Sequence, residues 1–578
     1  MGLSTASPSS GDPGQRPVRS NEVLNLGPYT GNEPNYSNDG FEMGRLPSRP
    51  ENEAQEPCSV EEKSRGNWRI AAIMLALSTI VATATPTISA ELHSGTGYVW
   101  IGGAYLIANA ASSNIWANLS DIWGRKPILL TAVALFFGAS IICAKAINMP
   151  MLIAGRGVQG IAGGGLIQLI TIIISDLFSV RLRSLFLGLI EFIWAIAGAL
   201  GPIVGGAFTQ SVSWRWIFWI NLPVCGTAFV LLLLFLDVHN PKTGVLDGIK
   251  AVDWFGSFSI LGLTVMVLLG LDFGGATFPW SSPKVICLIV FGCLMSLFFI
   301  YSEKRLAKYP LMPLGIFKNR SNMACFIVAF THGFVSIQTV TLDRIKPDTD
   351  GLRLFSDKNT ISRSALSLAA GLIIHRTGHY LEVVWTGTAL VLLGSGLLID
   401  FNATSSLAKI ICYQIVAGAG CGLLFFPPLL ALQSNVPQDE NAAATATFGF
   451  IRNMAMAMSV VLGGVIFQNG MDARQSDLLT AGLSDSMVKE LTGSEAAANV
   501  MVIQSIADTL QRSVVKDAYA WSMRNIWILY TSLGACGLLV SLFITRQHLS
   551  VEHVETKTGL KEKQPLTEPR QNESVSEP

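Results

Sequence analysis

Three ionisable residues lie within long apolar stretches of this chain. Arg156 precedes a run that contains three consecutive glycines, Glu191 lies in the segment LFLGLIEFIW, and Arg452 lies in FGFIRNMAMAM. A charge at the centre of a bilayer costs about 2.5–3.5 kcal/mol on insertion scales, so such residues usually face a cavity or a partner. A buried carboxyl can also bind and release a proton, because burial penalises its charged form. All three residues are therefore candidate functional residues, and Glu191 is a candidate proton carrier.

Two of these residues also have a simpler interpretation. Arg156 lies only a few residues into its apolar segment, so its long side chain could snorkel to the membrane surface. Glu191 could equally lie at the solvated mouth of its helix. The sequence leaves both alternatives open.

A second group of charges lies between two apolar segments, in the stretch ANLSDIWGRK (residues 117–126). Its carboxylate, Asp121, and its basic pair, Arg125 and Lys126, can make charge-assisted hydrogen bonds to neighbouring helix ends. Such bonds can form in one conformation and break in another, which would be a gating role. Positive-inside topology alone would explain the two basic residues, but it does not explain Gly124 or Asp121.

Apolar segments must position these residues, and such segments make up most of the chain. Of its 578 residues, 50% are hydrophobic and only 14% are charged, whereas a soluble domain has about 25% charged residues. A membrane-spanning helix needs about 20 apolar residues. This criterion predicts an all-α polytopic membrane protein with about 14 transmembrane helices, near residues 69–90, 98–117, 127–147, 151–175, 185–208, 216–236, 254–271, 284–301, 321–338, 362–375, 381–400, 407–432, 441–467 and 524–544.

The predicted helices divide the chain into five regions. We expect a disordered tail at 1–66, because its composition cannot bury a core. Six predicted helices fall in 67–236, two linking helices in 237–310 and six more in 311–545, before a second tail at 546–578. Inside the last helical region, 469–523 is predicted to be external. Its apolar residues follow an amphipathic pattern that is typical of a cap on a bundle or interface: Leu478, Leu479, Leu483, Val488 and Leu491.

The distribution of basic residues predicts the orientation of the chain. Lys and Arg in the short loops fall on one side of the membrane if the helices cross in alternation, and that side is normally cytoplasmic. We therefore expect a multi-pass protein of the cell membrane with both termini cytoplasmic. On this topology Asn402, in the sequon Asn402-Ala403-Thr404, is external and is a candidate glycosylation site.

The glycine-rich segment that contains Glu191 resembles a known family. It is similar to motif C, the antiporter signature of the major facilitator superfamily, although Ala197 replaces one of the family's glycines. The following block, WRWIFWINLP (residues 214–223), resembles the fourteen-helix drug:proton antiporter branch. Small residues let two helices approach closely, so we expect the motif C residues to bend this helix and press it against a partner: Gly188, Gly201, Pro202, Gly205 and Gly206.

Two further motifs carry the same resemblance. Residues 117–126 resemble motif A, with Ala117 in place of its leading glycine, and Arg156-Gly157-x-Gln159-Gly160 resembles motif B, whose arginine is linked in the family to proton transfer. The acidic residue that is usual in the family's first helix falls on Leu77, so a proton pathway must use other groups. The resemblance thus implies two sets of site residues: Arg156, Glu191 and Arg452 for proton coupling, and Asp121, Gly124, Arg125 and Lys126 for gating.

The resemblance implies a major facilitator fold, in which two six-helix bundles joined by two extra helices rock around a central cavity. The implied function is export of a small organic compound (a toxin, drug or secondary metabolite) by alternating access, driven by proton entry. We expect no cofactor other than the proton gradient, no metal and no enzymatic activity. The expected partners are a small-molecule substrate and membrane lipid, and we expect a monomer. The zero formal net charge argues against a nucleic-acid partner.

One segment departs from the family pattern. Residues 338–363 are dense in Asp, Lys and Arg where the family has membrane helices, and unpaired charges at that density cannot face lipid. The segment is either an external loop before a truncated tenth helix, or a sign of a divergent chain or an error in the gene model.

The sequence leaves two alternatives to export open. The chain could be an uptake carrier for siderophores or amino acids, or a transport-impaired divergent member with a receptor or scaffold role.

Overall fold

Helices joined by short turns account for most of the described residues in the computed structural model of this chain. The structure describes residues 87–88, 91–92, 97–239, 241, 243–274, 278–336, 350–402, 405–492, 503, 506–550 and 559, with the backbone alone at 350–359. The predicted tail at 1–66, nearly all of the first predicted helix and most of the predicted tail at 546–578 lie outside these residues.

Eighteen α-helices fall in the described ranges. The first six are α1 (Gly97–Trp123), α2 (Arg125–Ala144), α3 (Met149–Leu177), α4 (Val180–Ser211), α5 (Trp216–Trp219) and α6 (Asn221–Phe235). The next six are α7 (Val245–Ala251), α8 (Trp254–Phe273), α9 (Pro283–Arg305), α10 (Arg320–Val335), α11 (Asp350–Thr377) and α12 (Leu381–Leu398). The last six are α13 (Leu407–Leu424), α14 (Pro427–Asn435), α15 (Asn441–Ala473), α16 (Gln475–Thr480), α17 (Asp485–Leu491) and α18 (Thr509–Ser541).

Nine helices in the described ranges are long and apolar enough to cross a membrane, and they coincide with nine predicted spans. Four further predicted spans fall on α1, α4, α10 and α11. Of these, α4 has 32 residues, which corresponds to about 48 Å at 1.5 Å per residue, against a hydrocarbon core of about 30 Å. The predicted all-α membrane fold is confirmed.

Two predicted helix boundaries were wrong. The tenth span, predicted at 362–375, is the last part of α11, which begins at Asp350 and has 28 residues. The charged residues 350–363 therefore belong to the first half of this helix instead of forming a loop before a truncated one, and 338–349 lie outside the described residues. Similarly, the last predicted helix began at 524, but α18 begins at Thr509 and so includes the end of the predicted external segment.

The described helices form two groups that contact each other. In the first group α1 packs on α3, and α2 packs on α3 and α6. In the second group α12 packs on α13 and α18, while α10 packs on α15 and α18. The linking helices α8 and α9 pack against each other, and α8 also contacts α1. Helix α4 contacts α3 of the first group, and α11 packs on α13 of the second. The two groups meet where α4 packs along α11 and where α1 packs on α15.

Glycines of α3 bring that helix unusually close to α1. A Cβ on Gly160 would lie 2.3 Å from the backbone oxygen of Tyr105, and a Cβ on Gly165 would lie 2.7 Å from the ring of Trp116. No real Cβ tolerates such distances, so only glycine fits at these two positions. This is the small-residue packing that membrane helices use to approach each other closely.

The segment predicted to cap the bundle is partly helical and amphipathic. Four of the five apolar residues in its predicted amphipathic pattern are buried within the main hydrophobic core: Leu478, Leu483, Val488 and Leu491. The prediction was wrong for Leu479, which is 41% exposed, because it follows Leu478 directly on α16 and is therefore rotated by about 100° around the helix axis, away from the core.

The block at residues 214–223 also has a structural role. Trp214 is buried, and its indole N–H donates a hydrogen bond to Glu91 at 2.7 Å. The adjacent Arg215 donates to the same carboxylate at 2.6 Å and to the backbone oxygen of Ala146 at 3.2 Å. These bonds tie the residues that precede α1 to the turns after α2 and α4.

Candidate functional site

Glu191 and Arg363 join the two helix groups by an ion pair. Glu191 lies on α4 and is buried, and its Oε1 accepts hydrogen bonds from Nε and Nη2 of Arg363 at 2.8 and 2.6 Å. Bonds between ionised partners are shorter and stronger than neutral ones. Because Arg363 belongs to α11, the pair connects α4 to α11. The interpretation of Glu191 as a solvated residue at a helix mouth was therefore wrong.

Arg452 of α15 is close to this pair and shares an aromatic ring with it. Its guanidinium carbon lies 4.3 Å from the centroid of the Phe425 ring, and its Nη1 donates a hydrogen bond to the Phe425 carbonyl oxygen at 3.2 Å. The guanidinium of Arg363 lies 5.3 Å from the same centroid. Both distances are within the range of about 6 Å in which cation–π attraction acts. Phe425, between α13 and α14, thus contacts two cations.

Further aromatic rings surround Phe425. The ring of Trp194 lies 6.5 Å from it in an edge-on arrangement, that of His332 lies 5.8 Å away and that of Phe426 lies 4.7 Å away. Trp194 follows Glu191 by three residues on α4, so the two side chains are on the same helix face.

Two hydrogen-bond donors at this site lack an acceptor among the described residues. Both Nε of Arg452 and Nε1 of Trp194 are buried and have no hydrogen-bond partner. Buried polar groups nearly always have one, and a buried donor without an acceptor costs about 1–3 kcal/mol. We name the five residues Glu191, Trp194, Arg363, Phe425 and Arg452 the interface cluster.

Arg156 belongs to a separate network inside the first helix group. Its Nε donates a hydrogen bond to the backbone oxygen of Ile101 at 3.1 Å, and its Nη1 donates to Gln159 at 2.5 Å. Its guanidinium also lies 4.4 Å from the centroid of the Tyr105 ring. Gln159 in turn donates to the hydroxyl of Ser140 at 2.9 Å. Arg156 is only 4% exposed, so the interpretation of a snorkelling arginine was wrong.

The predicted gating residues form an ion-pair site at the turn between α1 and α2. Gly124 alone separates these helices, and its φ of 94° is a conformation that glycine adopts without strain. Arg125 is buried and forms ion pairs with Asp121 at 2.5 Å and with Asp176, near the end of α3, at 2.8 Å. Lys126 is half-buried beside them. The site therefore links α1, α2 and α3.

The predicted packing residues of α4 differ from one another. A Cβ on Gly188 would lie 3.0 Å from a backbone oxygen of α11, so this glycine brings the two helices together. Gly201 and Gly205 are buried, and the helix continues through Pro202. Among the described residues, a Cβ on Gly206 would meet no atom within 4 Å. None of these residues therefore packs closely against Gly206, and its packing role stays a prediction.

On α11, Gly371 lies at least as close to the backbone of α4 as Gly188 of α4 lies to the backbone of α11. A Cβ on Gly371 would lie 2.4 Å from the backbone oxygen of Ser184. The hydroxyl of Ser184 donates a hydrogen bond to the backbone oxygen of Gly371 at 3.0 Å. At the beginning of α4, Arg181 donates to the backbone oxygen of His375 at 2.7 Å, and Arg183 donates to Gln433 at 3.2 Å. The contact between the helix groups thus extends from the start of α4 to the interface cluster.

Asn402 is exposed in the turn between α12 and α13. Its side-chain oxygen accepts a hydrogen bond from Ser405 at 3.0 Å. Exposure is a requirement for glycosylation, and glycosylation of Asn402 stays a prediction.

Sequence reasoning missed four residues of these sites. Trp194 could have been found, because it lies three residues from Glu191 in a predicted helix. Phe425 and Asp176 carried no distinguishing signal among many similar residues. Arg363 lay in the segment that departs from the family pattern, and its contact with Glu191 spans 172 residues of sequence, which no local pattern reveals.

The described residues form an all-helical, multi-pass fold with charged side chains buried between two helix groups, an arrangement that is typical of membrane transporters. This chain belongs to the major facilitator superfamily, because the family model described as Major Facilitator Superfamily matches residues 70–460. The resemblance stated from the motifs is confirmed.

Named relatives support the same assignment. The chain is 45% identical over 507 residues to the efflux pump dotC of Dothistroma septosporum, which covers 85% of this chain and 87% of that protein. It is 42% identical to the MFS-type transporter ppz2 of Metarhizium majus, over 86% of this chain and 88% of that protein. Among solved structures, it resembles a double-tryptophan mutant of XylE with a TM-score of 0.52, 12% identity and coverage of 86% of this chain and 97% of the other. This last similarity concerns the fold alone.

Proposed function

We propose that this protein is an efflux pump, which exports a small organic compound (a toxin, drug or secondary metabolite) by alternating access coupled to proton entry. The direction of transport is supported by the similarity to dotC, a protein named as an efflux pump. The observation that carries the coupling is the buried ion pair between Glu191 of α4 and Arg363 of α11.

Of the three predicted coupling residues, Glu191 is the one that can take the proton. An arginine guanidinium stays protonated in proteins, so Arg156 and Arg452 cannot release and bind a proton during the cycle. We propose that these arginines act instead by position: Arg156 holds α1, α2 and α3 in register, and Arg452 adds positive charge beside Glu191.

Protonation of Glu191 provides a direct link between the proton and the helix groups. The neutral acid loses the charge that attracts Arg363, so one of the bonds between α4 and α11 weakens. A ligand shifts a conformational equilibrium only through its different affinity for the two states, and a proton that binds better when this pair is broken meets that condition. Loss of the proton on the other side of the membrane would then restore the pair.

We propose that the two six-helix bundles of the transporter are residues 67–236 and 311–545. The linking helices lie at 237–310, and the external segment is 469–523. The ion pairs of Arg125 with Asp121 and Asp176 serve gating, because they join three helix ends and can re-form in another arrangement. We propose location in the cell membrane with both termini cytoplasmic, a monomeric state in contact with lipid, no nucleic-acid partner and no cofactor beyond the proton gradient.

The pairing of Arg363 also weighs against the alternative of a transport-impaired chain. A charged segment that had lost its role would leave its charges without partners, whereas Arg363 makes two charge-assisted hydrogen bonds to Glu191. The alternative of an uptake carrier differs from export in the direction of flux and is decided by the same experiment.

The experiment is an accumulation assay in a yeast strain that lacks its own pumps. The full chain is expressed, and the accumulation of a set of aromatic drugs and fluorescent dyes is measured with and without a protonophore. Lower accumulation that the protonophore abolishes is the expected result. Lower accumulation that the protonophore leaves unchanged would contradict proton coupling, higher accumulation would indicate uptake, and unchanged accumulation with the protein at the cell surface would indicate impaired transport.

A further inference from the structure

We infer, on the basis of the proposed function, that the exported compound is an aromatic organic anion, whose acidic group binds Arg452 and whose ring lies against Trp194. The site is the interface cluster between α4, α11 and α15. Three features of this cluster point to the same class of compound: its charge, its donors without acceptors among the described residues, and the half-buried ring of Trp194.

The interface cluster carries more positive than negative charge. It contains two guanidinium groups, those of Arg363 and Arg452, and one carboxylate, that of Glu191. Arg363 binds this carboxylate through two hydrogen bonds at 2.6 and 2.8 Å. Arg452 is left with a backbone oxygen and the faces of the Phe425 and Phe448 rings, at 4.3 and 5.8 Å. Uncompensated charge in a membrane interior attracts a counter-ion, and here that counter-ion is negative.

The donors without acceptors give a second, independent reason. Nε of Arg452 and Nε1 of Trp194 are buried without partners among the described residues. Both groups can only donate hydrogen bonds, so a bound compound with acceptor atoms would satisfy them. A carboxylate, sulfonate or phenolate does this and also supplies the missing negative charge, because guanidinium groups suit planar anionic acceptors.

Trp194 indicates that the anion is aromatic. Its side chain is half-buried, so part of the indole ring is not covered by the residues packed around it. It lies edge-on to Phe425, with 6.5 Å between ring centroids, and a planar ring of a bound compound could extend this aromatic arrangement. An aliphatic anion would satisfy Arg452 but leave this surface without a matching partner.

The assignment keeps the proton and the compound on separate groups. The proton is assigned to Glu191, whose partner is Arg363, and the anion is assigned to Arg452. An organic cation fits the cluster poorly, because it would approach two guanidinium groups while the one carboxylate is already bound. Export of an anion is also favoured by an interior-negative membrane potential.

The test compares two dyes with the same tricyclic ring system and opposite charge. Fluorescein, an anion, and rhodamine 123, a cation, are loaded into pump-deficient yeast that expresses the full chain, and their efflux rates are measured. We expect efflux of fluorescein to exceed that of rhodamine 123 by at least about tenfold, because charge mismatch at a buried site costs that much or more. Preferential efflux of rhodamine 123 would overturn the inference while leaving the proposed export function intact.

Variants of Arg452 assign the effect to this residue. Arg452→Gln should lower fluorescein efflux by about tenfold or more, and Arg452→Lys, which keeps the charge, should retain part of it. Arg474→Gln, a change at a partly exposed arginine of the turn after α15, is the matched control and should behave like wild type. Equal fluorescein efflux by wild type and Arg452→Gln, at equal surface expression, would overturn the inference.

Failure of the inference and failure of the proposed function remain distinguishable. If neither dye is exported, the aromatic-anion inference is wrong. The proposed function fails with it only if the wider set of drugs also shows no export.

Discussion

The carboxylate of Glu191 on α4 accepts two hydrogen bonds from one residue of the other helix group, Arg363 on α11, at 2.6 and 2.8 Å. Glu191 is buried, whereas the side chain of Arg363 is 23% exposed. The pair therefore lies at the edge of the contact between the groups, with its acid on the inner side. A proton that reaches Glu191 changes the strength of a contact that the proposed transport cycle must break.

Glu191→Gln tests this role. Glutamine keeps the shape of the side chain and can still accept a hydrogen bond from Arg363, but it cannot ionise. We expect the variant to reach the membrane and to lose the dependence of export on the pH gradient. The measurement is export at several external pH values, with Asp485→Asn on the exposed side of α17 as the control carboxylate. Unchanged pH dependence in Glu191→Gln would remove Glu191 from proton coupling.

Reversal of the charges tests the ion pair itself. Removal of one partner of a buried pair costs about 3–5 kcal/mol, because the other charge is left uncompensated. Glu191→Ala should therefore lower the thermal stability of the purified protein clearly, and the double variant Glu191→Arg with Arg363→Glu should recover a large part of that loss. If the double variant is less stable than both Glu191→Arg and Arg363→Glu alone, the two residues make no direct contact in the membrane.

Most of the fold could be predicted from the sequence, because the bilayer imposes a simple rule on helix length and composition. Thirteen of the predicted spans coincide with described helices, and the turn at Gly124 lies where the charged stretch predicted one. The error at α11 came from the same rule. The rule excludes charged residues that face lipid, whereas Arg363 faces another helix and has a counter-ion there.

The candidate site was harder to predict, because its contacts join distant parts of the chain. Glu191 and Arg452 were identified as isolated charges in apolar helices, and nothing local indicated that both lie close to Phe425. Likewise, Asp176 pairs with Arg125 across 51 residues of sequence. A sequence pattern identifies a residue that is costly to bury, whereas the partner that offsets the cost depends on tertiary structure.

The close contact between α4 and α11 predicts opposite outcomes for two glycines. Gly371→Val should destabilise the protein by about 1–3 kcal/mol, because even a Cβ at this position would lie 2.4 Å from the backbone oxygen of Ser184. Gly206→Ala on α4 should be tolerated, because a Cβ there meets no atom of the described part of the chain within 4 Å. Melting temperatures of the two purified variants check both statements. Equal destabilisation would indicate that Gly206 packs against a partner after all.

The contact between Glu91 and Arg215 predicts a small dependence of stability on pH. The hydrogen bond from Arg215 lowers the pKa of the Glu91 carboxyl. A lowered pKa in the folded state means that the stabilisation is complete above the usual carboxyl value of about 4.3 and is lost as pH falls through the lower folded value. Because the Glu91 side chain is 48% exposed, solvent screening limits the effect to about 0.2–1 kcal/mol.

Glu91→Gln provides the comparison for this contact. Above pH of about 5 the variant should melt slightly below wild type, and the difference should disappear in acid, where Glu91 is protonated in both states. High salt should also reduce the difference, since exposed charges are screened. A difference that persists unchanged in acid would show that the carboxylate charge does not stabilise this end of the molecule.

Arg156 should be essential for export although it does not carry the proton. Its guanidinium binds the backbone oxygen of Ile101 and the side chain of Gln159, so Arg156→Ala leaves buried polar groups without partners, at about 1–3 kcal/mol for each. We expect the variant to insert into the membrane and to lose efflux, because the register of α1 on α3 is no longer held. Arg156→Lys keeps the charge but lacks the planar fork, so it should restore stability more than export.

The measurements for Arg156 are efflux per protein molecule at the cell surface and the melting temperature, with Arg474→Ala as the control. Normal export by Arg156→Ala would remove this residue from the mechanism and leave it a structural role only.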